Sequence, residues 1–192
     1  TGSIPSLSGV TALQLFAAGA NQLSGPVPSL SGLTGLRVFD VQANQLSGSI
    51  PSLSGLTGLQ DFIVQNNQLS GSIPSLSGLT GLQYVEVKNN QLTGPVPAAP
   101  PSLIAGQSDL CGNSLVSSGN PAIDAAWVTA QKIASVPGGN WLACQTGAVP
   151  PACALSATPA SIAAGGTSTL TASCSPAATS YTWTGGTCAG TS

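Results

Sequence analysis

The sequence predicts a solenoid of short coils that stack side by side around one parallel β-sheet. A unit of 23 residues recurs along the first half of the chain, opening at Leu33, Leu56 and Leu79. Each unit contains a stretch in which apolar and polar residues alternate, which is the pattern of a half-buried strand. A unit of this length is too small to bury its own apolar edge, so it is stable only when it stacks on its neighbours.

The alternating stretch of each unit, seen clearly in residues 36–42, predicts the direction of every side chain. The inward positions are apolar: Leu36, Phe39 and Val41. The positions between them point away from the core: Val38, Asp40 and Gln42. Successive strands are therefore expected to line one sheet, with a packed side and an outward side.

An asparagine closes the strand of each unit, at Asn21, Asn44, Asn67 and Asn90. The chain turns away from the strand at this point, and the turn leaves backbone groups that need partners inside the fold. A side-chain amide offers both a donor and an acceptor. These residues are predicted to form a structural ladder between coils. The alternative is that the four amides are presented to a ligand.

The repeated unit resembles the leucine-rich repeat, and its NQLSGSIP run is similar to the plant-specific subclass found in receptor-kinase ectodomains and polygalacturonase-inhibiting proteins. The resemblance covers residues 1–97, with a truncated first repeat followed by four strand units in one register. The units are one residue shorter than the usual plant consensus. The resemblance implies a leucine-rich repeat solenoid whose parallel sheet forms a concave binding face.

Composition indicates an extracellular protein that does not bind nucleic acid. Three basic and five acidic residues give a net charge of −2, which offers little attraction for phosphates. Five cysteines suit an oxidising compartment, so the protein is predicted to be secreted or held at the cell surface. No apolar run approaches the roughly 20 residues of a membrane-spanning helix. The sequence also lacks an N-x-S/T glycosylation site, which favours a bacterial protein, and its start within a repeat favours a fragment of a longer chain.

The repeat is predicted to end at Pro97, and residues 98–145 are predicted to form a C-terminal cap. The stretch SDLCGNSL resembles the sequence that closes many extracellular leucine-rich repeat arrays. Asn120 followed by Pro121 is a helix-start signal, and apolar residues at helical spacing predict a helix over about residues 121–135, with Trp127 covering the core. Cys111 and Cys144 bracket this segment and are predicted to form a disulfide across it.

A second architecture is predicted after a linker at residues 146–152. Residues 153–192 resemble the opening strands of an immunoglobulin-like module of the kind found along bacterial surface proteins, so this part is expected to be an incomplete all-β sandwich. An antiparallel pairing of its first strands would bring Cys153 opposite Cys174, and a disulfide is predicted there. Cys188 is then expected to have its partner outside the chain.

The available residue types argue against an enzyme. The chain has no histidine, which excludes histidine-dependent acid–base and nucleophilic chemistry. Asp40, Asp61 and Glu86 lie on successive predicted strands, and paired carboxylates are able to hydrolyse glycosides. An open strand surface, however, has no pocket that raises one pKa and excludes water. We therefore predict a protein without catalytic activity, cofactor or metal.

Comparison of the units predicts a binding surface on the outward side of the strands. The SLSG and NQLSG segments hardly change between units, whereas the outward strand positions vary. This pattern is typical of a recognition or adhesion module that binds a protein or a glycan. The predicted ligand-binding residues of the concave face are Val38, Asp40, Gln42, Asp61, Ile63, Gln65, Tyr84, Glu86 and Lys88.

Two other functions fit the same sequence. The low charge and near-identical outer segments also suit a structural segment of a bacterial stalk, adhesin or self-assembling extracellular polymer. The resemblance also implies a polygalacturonase-inhibitor-like role. Ice binding would suit a regular threonine array, but the outer segments carry serine, glycine and proline instead of a flat threonine grid.

Overall fold

The computed structural model describes residues 2–132 and 140–146 in full, together with the backbone of two strands at residues 152–158 and 169–175. The chain divides into two compact units, Thr1–Ala148 and Val149–Ser192. The first unit is a β-solenoid of parallel strands. Within the described residues, no helix has the length and apolar character needed to cross a membrane.

Nine short strands follow one another through the solenoid. In chain order they are β1 Leu15–Ala17, β2 Ser24–Pro26, β3 Val38–Asp40, β4 Gln45–Ser49, β5 Asp61–Ile63, β6 Gln68–Gly71, β7 Tyr84–Glu86, β8 Gln91–Pro95 and β9 Ser114–Val116. The first sheet has the order β1-β3-β5-β7, and the second sheet has the order β2-β4-β6-β8-β9. All pairs in both sheets are parallel.

The inward residues of the first sheet form the centre of the core, as the alternation predicts. Leu36, Phe39 and Val41 are completely buried. Three phenylalanines stack along the solenoid, with ring centroids 5.4 Å apart between Phe16 and Phe39 and 5.9 Å apart between Phe39 and Phe62. Each coil thus covers the apolar edge of the one before it, and this burial is the main stabilisation of the stack.

The second sheet is an element that the sequence reasoning did not predict. Four of its five strands, β2, β4, β6 and β8, come from the repeated NQLSG or NQLTG segments, which have no apolar alternation to reveal them. A glycine in each of these four strands adopts a positive φ, for example +79° at Gly48 and +77° at Gly71. A side chain is strained in that conformation, which explains why the glycine recurs in each unit.

The asparagines join neighbouring coils through buried hydrogen bonds. The Nδ2 of Asn67 donates to the carbonyl of Val41 on the preceding coil at 2.9 Å, and also to Val64 and Gln65 on its own coil. Its Oδ1 accepts from the backbone N–H of Leu46 at 3.0 Å. Asn44 and Asn90 make the equivalent contacts in their coils, and we call this series the asparagine ladder. Asn21 is exposed and donates only to carbonyls of its own turn, at Ala18 and Gly19.

The coiled path continues beyond the predicted end of the repeat at Pro97. Asn113 extends the asparagine ladder, accepting from Leu92 N–H at 3.0 Å and donating to Val87 O at 3.0 Å. Isolated parallel bridges pair Glu86 with Asp109 and Ser108 with Gln131. The repeat pattern was lost from the sequence here because the buried positions become polar. Ser108, for example, follows Val85 by one period and accepts a hydrogen bond from the Val85 N–H instead of packing against it.

Glutamine replaces asparagine at the closing end of the ladder. The Oε1 of Gln145 accepts from Leu115 N–H at 3.2 Å, and its Nε2 donates to Leu110 O at 3.2 Å. These two backbone groups lie one period after those bonded by Asn113. Gln145 directly follows a 3₁₀ turn, Trp141–Cys144, and the disulfide between Cys111 and Cys144 ties that turn to the last coil.

The helix is shorter than predicted. It spans Pro121–Ala130 (α1), begins with Asn120 accepting from Ala122 N–H at 2.9 Å, and ends where Gln131 becomes extended. The predicted end at residue 135 was wrong because Gln131 is used by the solenoid: its Oε1 accepts from Leu110 N–H at 3.0 Å. Trp127 is fully buried and donates from Nε1 to the carbonyl of Pro97 at 2.7 Å.

In the second compact unit, two described strands, β10 Ala152–Thr158 and β11 Thr169–Ser175, pair antiparallel. Cys153 lies opposite Cys174 in this register. The disulfide between them stays a prediction, as does the immunoglobulin-like architecture. The side chains of both cysteines, and the whole of Cys188, lie outside the described residues.

Replacing Asn67 with alanine tests the ladder. The change removes four hydrogen bonds and leaves the buried Leu46 N–H without its acceptor. We expect the free energy of unfolding, measured by urea denaturation, to fall by about 3 kcal/mol. Asn21→Ala is the matched control, and its expected change is within about 0.5 kcal/mol because Asn21 is exposed. Equal losses from the two variants would contradict the structural role.

Candidate functional site

The outward side of the first sheet, which we call the sheet face, presents side chains in three rows that run across the strands. The strand register aligns the first row, which contains Leu15, Val38, Asp61 and Tyr84. It also aligns the second row, which contains Ala17, Asp40, Ile63 and Glu86. The third row follows two residues later in each coil and contains Gln42, Gln65 and Lys88. All nine predicted ligand-binding residues therefore lie on one surface, and their role in binding stays a prediction.

The C-terminal part of the sheet face has its charges paired within the fold. Lys88 Nζ lies 3.4 Å from Asp109 Oδ2, and Lys132 Nζ makes an ion pair with Glu86 Oε1. The two carboxylates are well buried, with side-chain exposures of 4% for Asp109 and 13% for Glu86. Glu86 and Lys88 were predicted to contact a ligand, but these contacts attach the last strand to the coils that follow it.

The middle of the sheet face contains a connected polar network. The carboxylate of Asp40 accepts two hydrogen bonds from Gln42, one from its backbone N–H at 3.0 Å and one from its Nε2 at 3.1 Å. The Oε1 of Gln42 in turn accepts from Nε2 of Gln65 at 2.8 Å. These three side chains hold one another in place across two strands, so they form a rigid polar strip.

Asp61 differs from the other acidic residues of the sheet face. Its side chain is half-buried, and it makes no hydrogen bond or ion pair with any residue that the structure describes. Burial raises the pKa of Asp61 above its usual 3.8, because loss of water disfavours the charged form. The carbonyl of Arg37 accepts a hydrogen bond from the Asp61 N–H at 3.0 Å, but the Arg37 side chain is exposed and forms no ion pair within the described part of the chain.

The first row combines apolar, acidic and aromatic side chains in that order. Leu15 lies on the edge strand β1 and is exposed, and Val38 beside it is half-buried. Asp61 follows in the register, and then Tyr84. This row therefore presents apolar area at one end and a desolvated carboxylate next to an aromatic ring at the other.

Sequence reasoning missed three residues that shape the sheet face. Asp109 and Lys132 follow Glu86 at one and two further periods, so extending the 23-residue spacing beyond Pro97 would have found both. Leu15 occupies the same outward position as Val38 one period earlier, but it is not among the predicted ligand-binding residues. No comparable signal in the sequence marks Asp61 as the acid without a partner, because that depends on which neighbours pair with each other.

The arrangement is suited to contact recognition. Asp40 and Glu86 lie in the second row on either side of Ile63, and both are already bonded, to Gln42 and Lys132. Each of these two carboxylates is thus held by a neighbouring side chain of the fold. Among the described residues, no group of three or more potential metal ligands comes together.

Comparisons with known proteins agree with a leucine-rich-repeat fold. No protein-family model matches the sequence, and no curated protein does. The solved structures that resemble it include the plant peptide hormone receptor RGFR1 in complex with RGF2, with 35% identity and a TM-score of 0.55 over 59% of this chain. The leucine-rich-repeat ectodomain of the receptor kinase SOBIR1 from Arabidopsis thaliana has 30% identity and a TM-score of 0.55 over 60% of this chain.

A third similar structure is described as a plant ice-binding protein, with 32% identity and a TM-score of 0.52 over 60% of this chain. The chain covers 19% of the RGFR1 chain, 66% of the SOBIR1 chain and 39% of the ice-binding protein. The first unit is thus a β-solenoid of parallel strands similar to those of plant leucine-rich-repeat ectodomains, over part of their length. The bacterial origin inferred from the sequence stays a prediction.

Asp61 is expected to reduce the stability of the fold at neutral pH. Because its pKa is raised in the native state, the unfolded chain releases this proton first as the pH increases, and ionisation then favours unfolding. Asp61→Asn should therefore raise the melting temperature near neutral pH and leave it unchanged well below pH 3.8, where both states are protonated. Thermal unfolding followed by circular dichroism measures both conditions.

Asp40→Asn provides the matched control for this measurement. Its carboxylate accepts two hydrogen bonds from Gln42, so this variant is expected to melt at a lower temperature near neutral pH. If Asp61→Asn also lowered the melting temperature there, Asp61 would have a stabilising partner and the account of its environment would be wrong.

Proposed function

We propose that this protein is a non-catalytic extracellular recognition module that binds a protein or peptide across the first row of the sheet face. The observation that carries the proposal is the half-buried carboxylate of Asp61, which has no partner among the described residues, on a face where the neighbouring acids are paired. A buried charge without a partner costs stability. A ligand that supplies the partner recovers this cost, which is a common property of binding sites.

The surroundings of Asp61 support a protein or peptide ligand. Leu15, Val38 and Tyr84 offer apolar and aromatic area in one line, and aromatic side chains are enriched at protein interfaces. The polar strip of Asp40, Gln42 and Gln65 runs beside that line and forms a rigid edge. RGFR1, a similar structure, is described as a peptide hormone receptor in complex with RGF2.

An extracellular location is supported by the disulfide between Cys111 and Cys144. Disulfides persist in oxidising compartments and are rare in the cytosol. The similar SOBIR1 structure is described as an ectodomain.

Selection from a displayed random peptide library on the immobilised full chain tests the proposal. We expect peptides that bind the parent protein and lose binding to the double variant Asp61→Asn, Tyr84→Ala. Glu86 is left unchanged because its ion pair with Lys132 attaches the closing coils. The control variant replaces Ser54 and Thr57 with alanine, on an exposed loop away from the sheet face. Selected peptides that bind all three proteins equally would refute the proposed site.

Ice binding is a second candidate, favoured by the resemblance to the plant ice-binding protein. Each coil presents exposed hydroxyl groups at the same positions of its outer loop, with no charged residue among them: Ser31, Ser54, Ser77, Thr34, Thr57 and Thr80. These hydroxyls recur at the 23-residue period of the coils, so they form a regular uncharged series. Such an array is able to order water in a repeating pattern.

An ice-recrystallisation assay on the full chain distinguishes the two functions. If the outer loops bind ice, the parent protein should keep ice crystals small at micromolar concentration, and Thr34→Lys with Thr57→Lys should abolish the effect. The Asp61→Asn, Tyr84→Ala variant should retain it. Crystals that grow as fast as in buffer alone would eliminate this candidate without affecting the sheet-face proposal.

A further inference from the structure

Building on the function proposed above, we infer that the first row of the sheet face takes a basic side chain of an extended peptide. The lysine or arginine lies between Asp61 and Tyr84, and an apolar residue three positions away in the peptide packs against Leu15 and Val38. Three features of the row indicate the chemistry of the ligand. They are the side chain of Asp61, which has no partner among the described residues, the aromatic ring of Tyr84 on the next strand, and the distance between neighbouring strands.

The pairing of acids within the fold selects Asp61 as the position for a cation. The chain has five acidic residues, and four of them have partners. Asp40 is bonded to Gln42, Glu86 to Lys132 and Asp109 to Lys88. The carboxylate of Asp124 accepts hydrogen bonds from Ser117 and Ser118 at the start of α1. Asp61 is the acid whose side chain has no hydrogen bond or ion pair in the described part of the chain, so its carboxylate has the most acceptor capacity left for an external cation.

Both lysines are already used, which explains why the fold does not supply that cation itself. Lys88 and Lys132 are each held by a carboxylate at the C-terminal end of the sheet. Arg37 lies on the coil before Asp61, with an exposed side chain that forms no ion pair to a described residue. A cation from a ligand therefore does not displace an existing contact of Asp61.

Tyr84 adds a second attraction for the same group. It is the direct register partner of Asp61 on the next strand, about 4.8 Å away across the sheet. A cation within about 6 Å of an aromatic ring is attracted by the negative face of the ring. Because the two residues are register partners on the same face, we expect the carboxylate and the ring to attract the same ammonium or guanidinium.

The strand spacing sets the distance to the apolar contact. Leu15 and Asp61 lie two strands apart in the same row, which corresponds to about 9.6 Å. A peptide in polyproline II conformation advances about 3.1 Å per residue with three residues per turn, so residues i and i+3 project from the same side about 9.3 Å apart. A β-strand brings residues i and i+2 to the same side at only about 6.8 Å. The row therefore matches an apolar residue and a basic residue separated by two others.

The experiment uses four synthetic peptides with blocked ends, each embedded in flanking prolines. Their central sequences are Leu-Pro-Pro-Arg, Leu-Pro-Pro-Gln, Leu-Pro-Pro-Glu and Leu-Pro-Arg-Pro. Each is titrated into the isotopically labelled full chain, and amide chemical shifts give both the dissociation constant and the residues that respond. We expect the first peptide to bind about tenfold more tightly than the glutamine peptide, which is the size of effect of one charge-assisted hydrogen bond. The glutamate peptide should bind more weakly still.

Two variants separate the basic-residue inference from the proposed function. Asp61→Asn should make the arginine and glutamine peptides equivalent, whereas the control variant Ser54→Ala, Thr57→Ala, on an exposed loop away from the sheet face, should preserve the difference. Peptides that bind the first row with no preference for arginine would overturn the basic-residue inference and leave the recognition function standing. Equal affinity for the two arginine spacings would overturn the three-residue spacing. If no library peptide depends on Asp61 and Tyr84 either, the recognition function itself fails.

Discussion

The asparagine ladder is the interaction on which the rest of the solenoid depends. Each amide bonds its own coil and the coil before it, as Asn67 does with Gln65 and Val41. The coils consequently stay in register, because a shift by one residue would leave buried backbone groups without partners. The phenylalanine stack and the leucine layers fill the space that this register defines. Apolar burial drives the stacking, but it is the ladder that specifies the alignment.

Closing such a ladder poses a physical problem, since the last coil has backbone groups that no further repeat will satisfy. Gln145 supplies the missing partners by bonding Leu115 and Leu110 in the way that Asn113 bonds the coil before. Its longer side chain reaches these groups from a 3₁₀ turn that is fixed by the disulfide. Trp127 and Trp141 are fully buried beneath this region, so the end of the solenoid is closed by both polar and apolar contacts.

The same closing coils determine what the sheet face is able to bind. Lys132 forms an ion pair with Glu86, and Asp109 forms an ion pair with Lys88. These contacts neutralise two charged residues of the surface that the sequence predicts to bind a ligand. The polar strip around Gln42 holds the carboxylate of Asp40 in place through two hydrogen bonds. What remains is a short row from Leu15 to Tyr84, in which the burial of Asp61 is not compensated by a described neighbour. The contacts that stabilise the fold therefore leave this row as the part of the sheet face proposed for binding.

The sequence by itself determined the coil length, the inward residues and the series of asparagines, because a fixed period and strict alternation are local patterns that need no knowledge of contacts. It also indicated the disulfide between Cys111 and Cys144, which the structure contains. Only the tertiary structure decided where the solenoid ends, since Ser108 and Gln131 continue the coils through hydrogen bonds that leave no apolar repeat in the sequence. It likewise decided which charges are neutralised, because Glu86 and Lys132 are 46 residues apart and become partners only when the coils stack.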